Sequence, residues 1–496
     1  NKGQAMREKM GGTAKIWKCG SIGIAAVMFL GMVMYSGVQE FWYDEVYQLG
    51  LSGSDKGMGD LLYEYAQLKD YTPPLYAVLA YVWVRLVPFS FRYFLLLSEL
   101  MTAAGVWLVA VAGEKIGGKK MGLLAELSAA TSSVLVVAAG YEFRSYALYF
   151  MASALVLCRL LKRLGGTDGE QRSAGVYDTL ALVLLLYSHY YGSVLFGVLF
   201  GMELFFVIRR RQKAKILVPY FISGFSFLPW LVLVFVNRTR SMTEFWIQPP
   251  DLQSVINLLR YLCSENECVL ALFCLGFAGC IVTVLYRTAG REFSKMDAWN
   301  VYVPGLVLGT VGAMFLYGAV INPSGGIFYD RYFIGLLPCC FLMTARGVLI
   351  IWDRLPVRQT EREAVFTGIC LALFLFVLIG NGNTFFQEIK KEPALSYTSS
   401  VGALSRKEDI SSPGTVVVTS DNSHVRAGVE LYFEKLFHVT PRVISQHDEN
   451  FSEEIGGYKK IYAFHGKQPW TDETKEIFSH WQKKSQDKKK RIYEYE

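Results

Sequence analysis

Charge is scarce in this chain. Asp, Glu, Lys and Arg together make up 19% of its 496 residues, histidine occurs only 6 times, and 52% of positions are hydrophobic. A soluble chain of this length carries more charge and less apolar surface, so that class is excluded. The 9 cysteines are scattered, with no CxxC pair and no Cys/His spacing of the kind that holds a metal. Cys263 and Cys268 flank Ser-Glu-Asn-Glu, a spacing open either to a disulfide or to two ordinary membrane-edge thiols. No self-similar period runs along the sequence, which removes repeat arrays. The first hydrophobic run follows Lys2, Arg7, Lys9, Lys15 and Lys18 but has no small-residue cleavage site before Glu40, so it is expected to stay as an anchor. A net charge of +7 is no nucleic-acid signal here, because most of the excess sits in short loops, where it reports orientation.

Hydrophobic stretches of 16 to 24 residues recur from Ile16 to Gly380. Each is long enough to cross a hydrocarbon core of about 30 Å. Lys and Arg clusters mark cytoplasmic loops: the N-terminus, Lys115 to Lys120, Lys162 to Arg172, Arg209 to Lys215, Arg287 to Lys295 and Arg354 to Arg362. Two crossings fit between consecutive clusters. The spans fall near 16–38, 93–113, 121–139, 145–161, 176–190, 192–208, 216–236, 268–286, 299–320, 332–352 and 364–380. Eleven crossings put the N-terminus in the cytoplasm and the C-terminus outside, in a multi-pass protein of the cell membrane. The apolar stretch 73–90 does not count as a crossing, since counting it would put every later basic loop on the wrong side. It reads as an interfacial helix within an outer loop, 39–92, opened by Pro73-Pro74 and rich in Tyr and Trp.

The texture changes near residue 395. Strands are expected at Thr415 to Thr419, Arg442 to Ser445 and Lys460 to Phe464, with amphipathic helices at Val425 to Phe437 and Thr471 to Lys484. The chain thus divides into a polytopic α-helical membrane domain, 1–390, and a small extracytoplasmic α/β domain, 395–496. The latter has neither cysteine nor a glycine-rich phosphate loop.

Threaded this way, polar residues distant in sequence meet on the outer face. Asp44 and Glu45 follow Phe41-Trp42-Tyr43 directly and are held at the interface, where ionised groups are costly to keep idle. A half-shielded carboxylate there suits proton abstraction from a hydroxyl. Glu142 and Arg144 occupy the short outer turn Gly140 to Tyr146, His189 breaks a long apolar run, and Arg331-Tyr332 opens a late span. The planar fork of Arg331 suits a lipid-linked phosphate. The segment Phe245 to Pro250 is an outer aromatic patch. Two adjacent carboxylates leave room for a divalent cation, Mg²⁺ or Mn²⁺, without specifying a site for one.

In their order these motifs resemble the GT-C integral-membrane glycosyltransferases of the protein-mannosyltransferase and aminoarabinose-transferase type, in their bacterial branch. The resemblance covers about residues 15–380 and runs through Asp44-Glu45, Pro73-Pro74-Leu75-Tyr76, Arg92, the Glu142 to Tyr146 turn, His189-Tyr190 and Arg331-Tyr332. It departs at Thr72, where many relatives carry His, and in the longer spacing from Arg92 to Ser98. The resemblance implies transfer of a sugar from a polyprenyl-phosphate carrier to a glycan, lipid or protein acceptor on the outer face. Asp44 would be the general base with Glu45 beside it. Arg331, Arg144, Glu142, His189, Tyr332 and Arg92 would bind donor phosphate and sugar. Competing readings are a flippase for a lipid-linked glycan, a polymerase or ligase using a diphosphate-linked donor, and a structural membrane protein with a sensing outer domain. A transporter should carry ionisable groups mid-span.

Overall fold

The computed structural model describes residues 20–34, 36, 40–53, 55–67, 72–165, 174–209, 213–238, 247–290, 298–321, 327–356 and 396–496, with scattered positions between 361 and 379. The basic N-terminal residues, Phe245-Trp246 and about half of the expected span 364–380 lie outside this set. Among the described residues six helices are long and apolar enough to cross a membrane: Phe91–Ala130, Tyr190–Ile208, Ala214–Val236, Glu267–Ala289, Trp299–Ile321 and Asp330–Arg354. Shorter apolar helices occupy Gly20–Met34 and Gly175–Ser188. Tyr146–Gly165 is long enough, but three basic residues, Arg159, Lys162 and Arg163, crowd its C-terminal end.

The first of the six is two helices, as the positive charges require. Helical residues run from Phe91 to Ala130 but break at Gly117 and at Gly118, whose φ of 70° is left-handed. Glycine adopts that conformation without penalty. A Cβ on Gly113 would lie 3.0 Å from Gly122 Cα, whereas nine residues of straight helix would separate them by about 13 Å. The chain therefore doubles back at Gly117-Gly118, within the expected basic loop. The stretch expected to lie at the interface forms a 12-residue helix, Leu75–Leu86. At 1.5 Å per residue it spans about 18 Å, too short to cross.

Ionisable groups are not confined to the ends of the bundle. Glu99, Glu126 and Glu203 are buried within helices. Glu203 is compensated, since Arg163 pairs with it and the Tyr302 hydroxyl donates to it at 2.9 Å. Arg163 and Arg159 also reach Asp178, at 3.4 and 2.8 Å. Arg163 is thus part of a buried network as well as a loop marker. Satisfying both charges is what makes their burial tolerable.

Residues 396–496 build a five-stranded sheet in the order β2-β1-β3-β5-β4, from β1 (Thr415–Thr419), β2 (Val443–Ser445), β3 (Lys460–Phe464), β4 (Lys483–Asp487) and β5 (Ile492–Tyr495). β1 pairs in parallel with β2 and β3, while β5 runs antiparallel to β3 and β4. The last expected helix stops at Ser479, and β4 takes over where helix was expected to continue to Lys484. β4 is Lys-Lys-Ser-Gln-Asp, exposed throughout, and so has no apolar alternation to betray it. Cys263 and Cys268 are free thiols.

Alternate residues of β1 and β3 face two cores. Val416, Val418, Ile461 and Ala463 pack with Phe478 on one side. Val417, Tyr462 and Phe464 pack with helix Ser423–Phe437 on the other, in one apolar cluster with Phe41, Val46, Leu49, Tyr76, Phe94 and Phe143. This second core ties the sheet to the helix that carries Asp44, Tyr43–Gly53. Their contact is backbone on backbone: a Cβ on Gly50 would fall 1.8 Å from His424 O, and one on Gly428 would fall 2.5 Å from Val46 O.

Candidate active site

Asp44 lies in the first turn of helix Tyr43–Gly53, and the next residue sets its position. Glu45 is buried and accepts from the Trp42 N–H at 3.1 Å, closing the helix start in the manner of a capping-box glutamate. Its other oxygen accepts from the Phe143 N–H at 2.7 Å, which clips the helix to the turn bearing Glu142 and Arg144. Ser98 holds that turn from below, donating to Glu142 O at 2.7 Å and lying 3.1 Å from the Tyr76 hydroxyl. The Tyr of the Pro-Pro-Leu-Tyr segment is thereby a support for the turn.

Arg331 enters on the 3₁₀ turn Asp330–Leu336. Its Nη2 is 3.5 Å from Asp44 Oδ2 and its Nη1 is 3.4 Å from Glu142 Oε1. Arg144 approaches the same Asp44 oxygen at 3.9 Å and donates to Asp44 O at 3.4 Å. The Arg331 guanidinium lies over three rings, with Cζ 4.7 Å from the Trp42 centroid, 5.3 Å from Tyr329 and 5.4 Å from Tyr146. Arg331 Nε and Glu142 Oε2 are buried without a hydrogen-bond partner among the described residues. Buried polar atoms left in this state are costly unless a ligand meets them.

His189 is one ring further in. Its Nδ1 accepts from the Tyr191 N–H at 3.2 Å, so it caps helix Tyr190–Ile208. Its imidazole stacks on Tyr190 and Tyr149 and lies 5.5 Å from Tyr146 and 5.7 Å from Tyr332. His189 and Tyr332 thus form an aromatic wall behind Arg331. Arg92 is engaged elsewhere, donating to Val33 O at 2.9 Å at the end of the first helix.

The carboxylates do not converge on a cation site. Asp44 and Glu142 face Arg331, and Glu45 faces two backbone amides. Among the described residues no three acidic, His or Cys groups gather in a metal-binding cluster.

Burial pushes the Glu45 carboxyl up to about 8, against its hydrogen bonds from the Phe143 and Trp42 amides and with the Glu142 charge adding to the rise. Burial also raises Glu142 to about 7, opposed by Arg331 and Arg144. Raised folded values mean that folding favours the protonated forms. The associated stability is complete below about 4.5, the ordinary glutamate value, and is lost as pH rises through about 7 to 8. Thermal unfolding in detergent should therefore show a melting temperature that falls between pH 5 and pH 8. Glu45→Gln should flatten that slope, and an unchanged slope would assign the pH dependence to other groups.

No protein-family model and no curated protein matches the chain. Solved structures do. Across 97% of this chain and 98% of the other, it superposes on ArnT from Cupriavidus metallidurans bound to undecaprenyl phosphate, with a TM-score of 0.56 at 11% identity. The apo state of that ArnT gives 0.57 at 12% identity over the same shares. The archaeal oligosaccharyltransferase AglB from Archaeoglobus fulgidus, in complex with an inhibitory peptide and a dolichol-phosphate, gives 0.54 at 12% identity over 91% of this chain and 70% of that one. The fold is GT-C.

In this GT-C frame Asp44, Glu45, Glu142, Arg144 and Arg331 come together across almost three hundred residues of sequence, with His189 and Tyr332 in the wall behind them. Several further residues had no signal strong enough to be singled out. Trp42 and Tyr146 carry the guanidinium, and Ser98 and Tyr76 carry the turn. The C-terminal sheet contributes as well: Asn422 and Gln468 donate to the Tyr43 hydroxyl at 3.0 and 2.9 Å. Trp42, Tyr43, Tyr76, Ser98 and Tyr146 were visible beforehand as members of motifs, and their parts in the site were not; Asn422 and Gln468 carried no signal.

Proposed function

We propose that the protein is a glycosyltransferase that moves a sugar from a polyprenyl-phosphate carrier to a hydroxyl acceptor on the outer face of the membrane. The observation that carries this reading is the convergence of Arg331 and Arg144 on Asp44, with Arg331 Nε buried and without a hydrogen-bond partner among the described residues. The GT-C fold supports it, as do the lipid phosphates held by the ArnT and AglB structures.

Asp44 takes the acceptor proton as the acceptor oxygen forms a bond to the anomeric carbon. The bond from that carbon to the phosphate oxygen breaks with its electron pair, releasing polyprenyl phosphate and inverting the centre. Both arginines approach Asp44 at 3.5 to 3.9 Å without a tight bidentate fork, so donor phosphate can draw them away and free the carboxylate. Arginine charge aimed at the leaving phosphate acts where charge develops, and in a lipid-walled cleft it is worth more than in water. Glu45 holds the base by fixing backbone, and Glu142 orients Arg331. Arg92 has a structural part in this reading.

The proposed orientation puts the N-terminus in the cytoplasm, with the C-terminal sheet and the helix Leu75–Leu86 outside. Replacing Arg331 tests the donor assignment. With purified protein and polyprenyl-phosphate sugar, Arg331→Ala should lower kcat/KM by roughly 10²–10³-fold, and Arg331→Lys should recover part of the loss because it keeps the charge and loses the fork. Parent-like turnover in Arg331→Ala would pass the phosphate role to Arg144.

A further inference from the structure

The loop after β3 reaches the site from the C-terminal sheet, and its backbone is held unusually firmly. Asp421 accepts from the Lys467 and Gln468 N–H groups at 2.8 and 3.0 Å, and from the Tyr397 hydroxyl at 2.7 Å. Ser420 accepts from the Gly466 N–H at 2.9 Å. A Cβ at Gly466 would sit 1.6 Å from Asp421 Oδ2, so this wrapping admits only glycine. Gln468 completes the hold by bonding the hydroxyl of Tyr43, the neighbour of Asp44. What this loop presents is one exposed ammonium.

Lys467 Nζ lies 5.4 Å from the Trp42 centroid and 4.8 Å from the Tyr43 centroid. Among the described residues it makes no ion pair. Trp42 is the ring that also carries Arg331, at 4.7 Å. Two cations therefore share one indole, and their separation cannot exceed the sum of the two distances. Like charges gathered around a cleft repel each other and concentrate anions there. Arg331 belongs to the end of an apolar helix, whereas Lys467 belongs to the loop after β3, and the helix that carries Asp44 touches both, through Asp44 to Arg331 and through Tyr43 to Gln468. Lys467 thus brings a second cation, carried by the C-terminal domain, to the ring that already carries Arg331.

We propose that Lys467 is a substrate-binding residue that recognises an anionic group, a phosphate or carboxylate, on the acceptor. The acceptor hydroxyl comes to Asp44 from the side of the C-terminal sheet, with its negative group against the Lys467 ammonium over Trp42 and Tyr43. The sheet then belongs to acceptor selection, and this assignment rests on the glycosyltransfer reading above.

The test uses full-length protein in vesicles, polyprenyl-phosphate sugar labelled in the sugar, and two acceptors that differ by one phosphate group, glycerol and glycerol 1-phosphate. The parent should show a KM about tenfold lower for glycerol 1-phosphate, the scale of one charge-assisted contact. Lys467→Gln should bring the ratio of the two KM values close to one, and Lys467→Arg should restore it. Equal KM values in the parent overturn the assignment, as does a ratio unchanged in Lys467→Gln. A shift confined to the donor KM would give Lys467 to the lipid phosphate and overturn it too. A parent that neither transfers sugar nor releases it from the donor to water removes the glycosyltransfer reading itself. Release without phosphate preference leaves that reading intact and removes only the role of Lys467.

Discussion

Purified Asp44→Asn protein should fold like the parent and lose sugar transfer by roughly 10²–10⁴-fold, the range of a general base. The exchange keeps the shape of the side chain and its ability to accept a hydrogen bond from Arg331, and removes only its basicity. Folding should survive because Asp44 is partly exposed and Glu142 still faces Arg331. Glu45→Gln is the informative companion. Both Glu45 oxygens accept from backbone N–H groups, and an amide would turn a donor toward one of them. Its loss should therefore come with a melting temperature shifted from that of the parent, whereas the loss in Asp44→Asn should not. Near-normal turnover in Asp44→Asn with collapse in Glu45→Gln would move the base to Glu45. Near-normal turnover in both would take this helix out of the chemistry.

Gly428→Val should cost activity from a position that touches none of the reacting groups. The added Cβ would lie 2.5 Å from Val46 O and 2.7 Å from Val46 Cγ1, so helix Ser423–Phe437 has to move away from helix Tyr43–Gly53. Overpacking of this kind destabilises by about 1–3 kcal/mol. The same displacement shifts Tyr43 and hence Asp44, and a misplacement of about 1 Å can lower the rate by about 10²-fold. Kinetics should be read beside limited proteolysis. The expected result is a slow enzyme whose C-terminal sheet is cut more readily than in the parent. Full activity with parent-like proteolysis would show that the sheet and the Asp44 helix do not act as one unit.

These two variants divide along the line between what was legible in the sequence and what was not. Asp44 could be singled out because a carboxylate pair next to Phe41-Trp42-Tyr43, at the end of a hydrophobic run, is expensive unless used. Gly428 could not, because its importance is a distance to Val46 O, nearly four hundred residues away. Membrane spans are likewise legible. A long apolar run is a local property, and the basic loop between the second and third spans coincides with the reversal at Gly117-Gly118.

The sequence by itself determined that this is a helical membrane protein, which turns between apolar runs carry charge, and that strands and helices alternate after residue 395. Those signals are carried by neighbours in the chain, through hydropathy, spacing and the period of apolar residues. Only the tertiary structure decided that Glu45 braces the backbone beside Asp44, that Arg331 faces both Asp44 and Glu142, and that Arg92 serves the first helix. It alone brought Lys467 over Trp42 and turned Lys483–Asp487 into an edge strand. Side-chain partnership and sheet closure join residues hundreds of positions apart. Their energy comes from contacts that exist only once the chain has folded back on itself, so no local pattern records them.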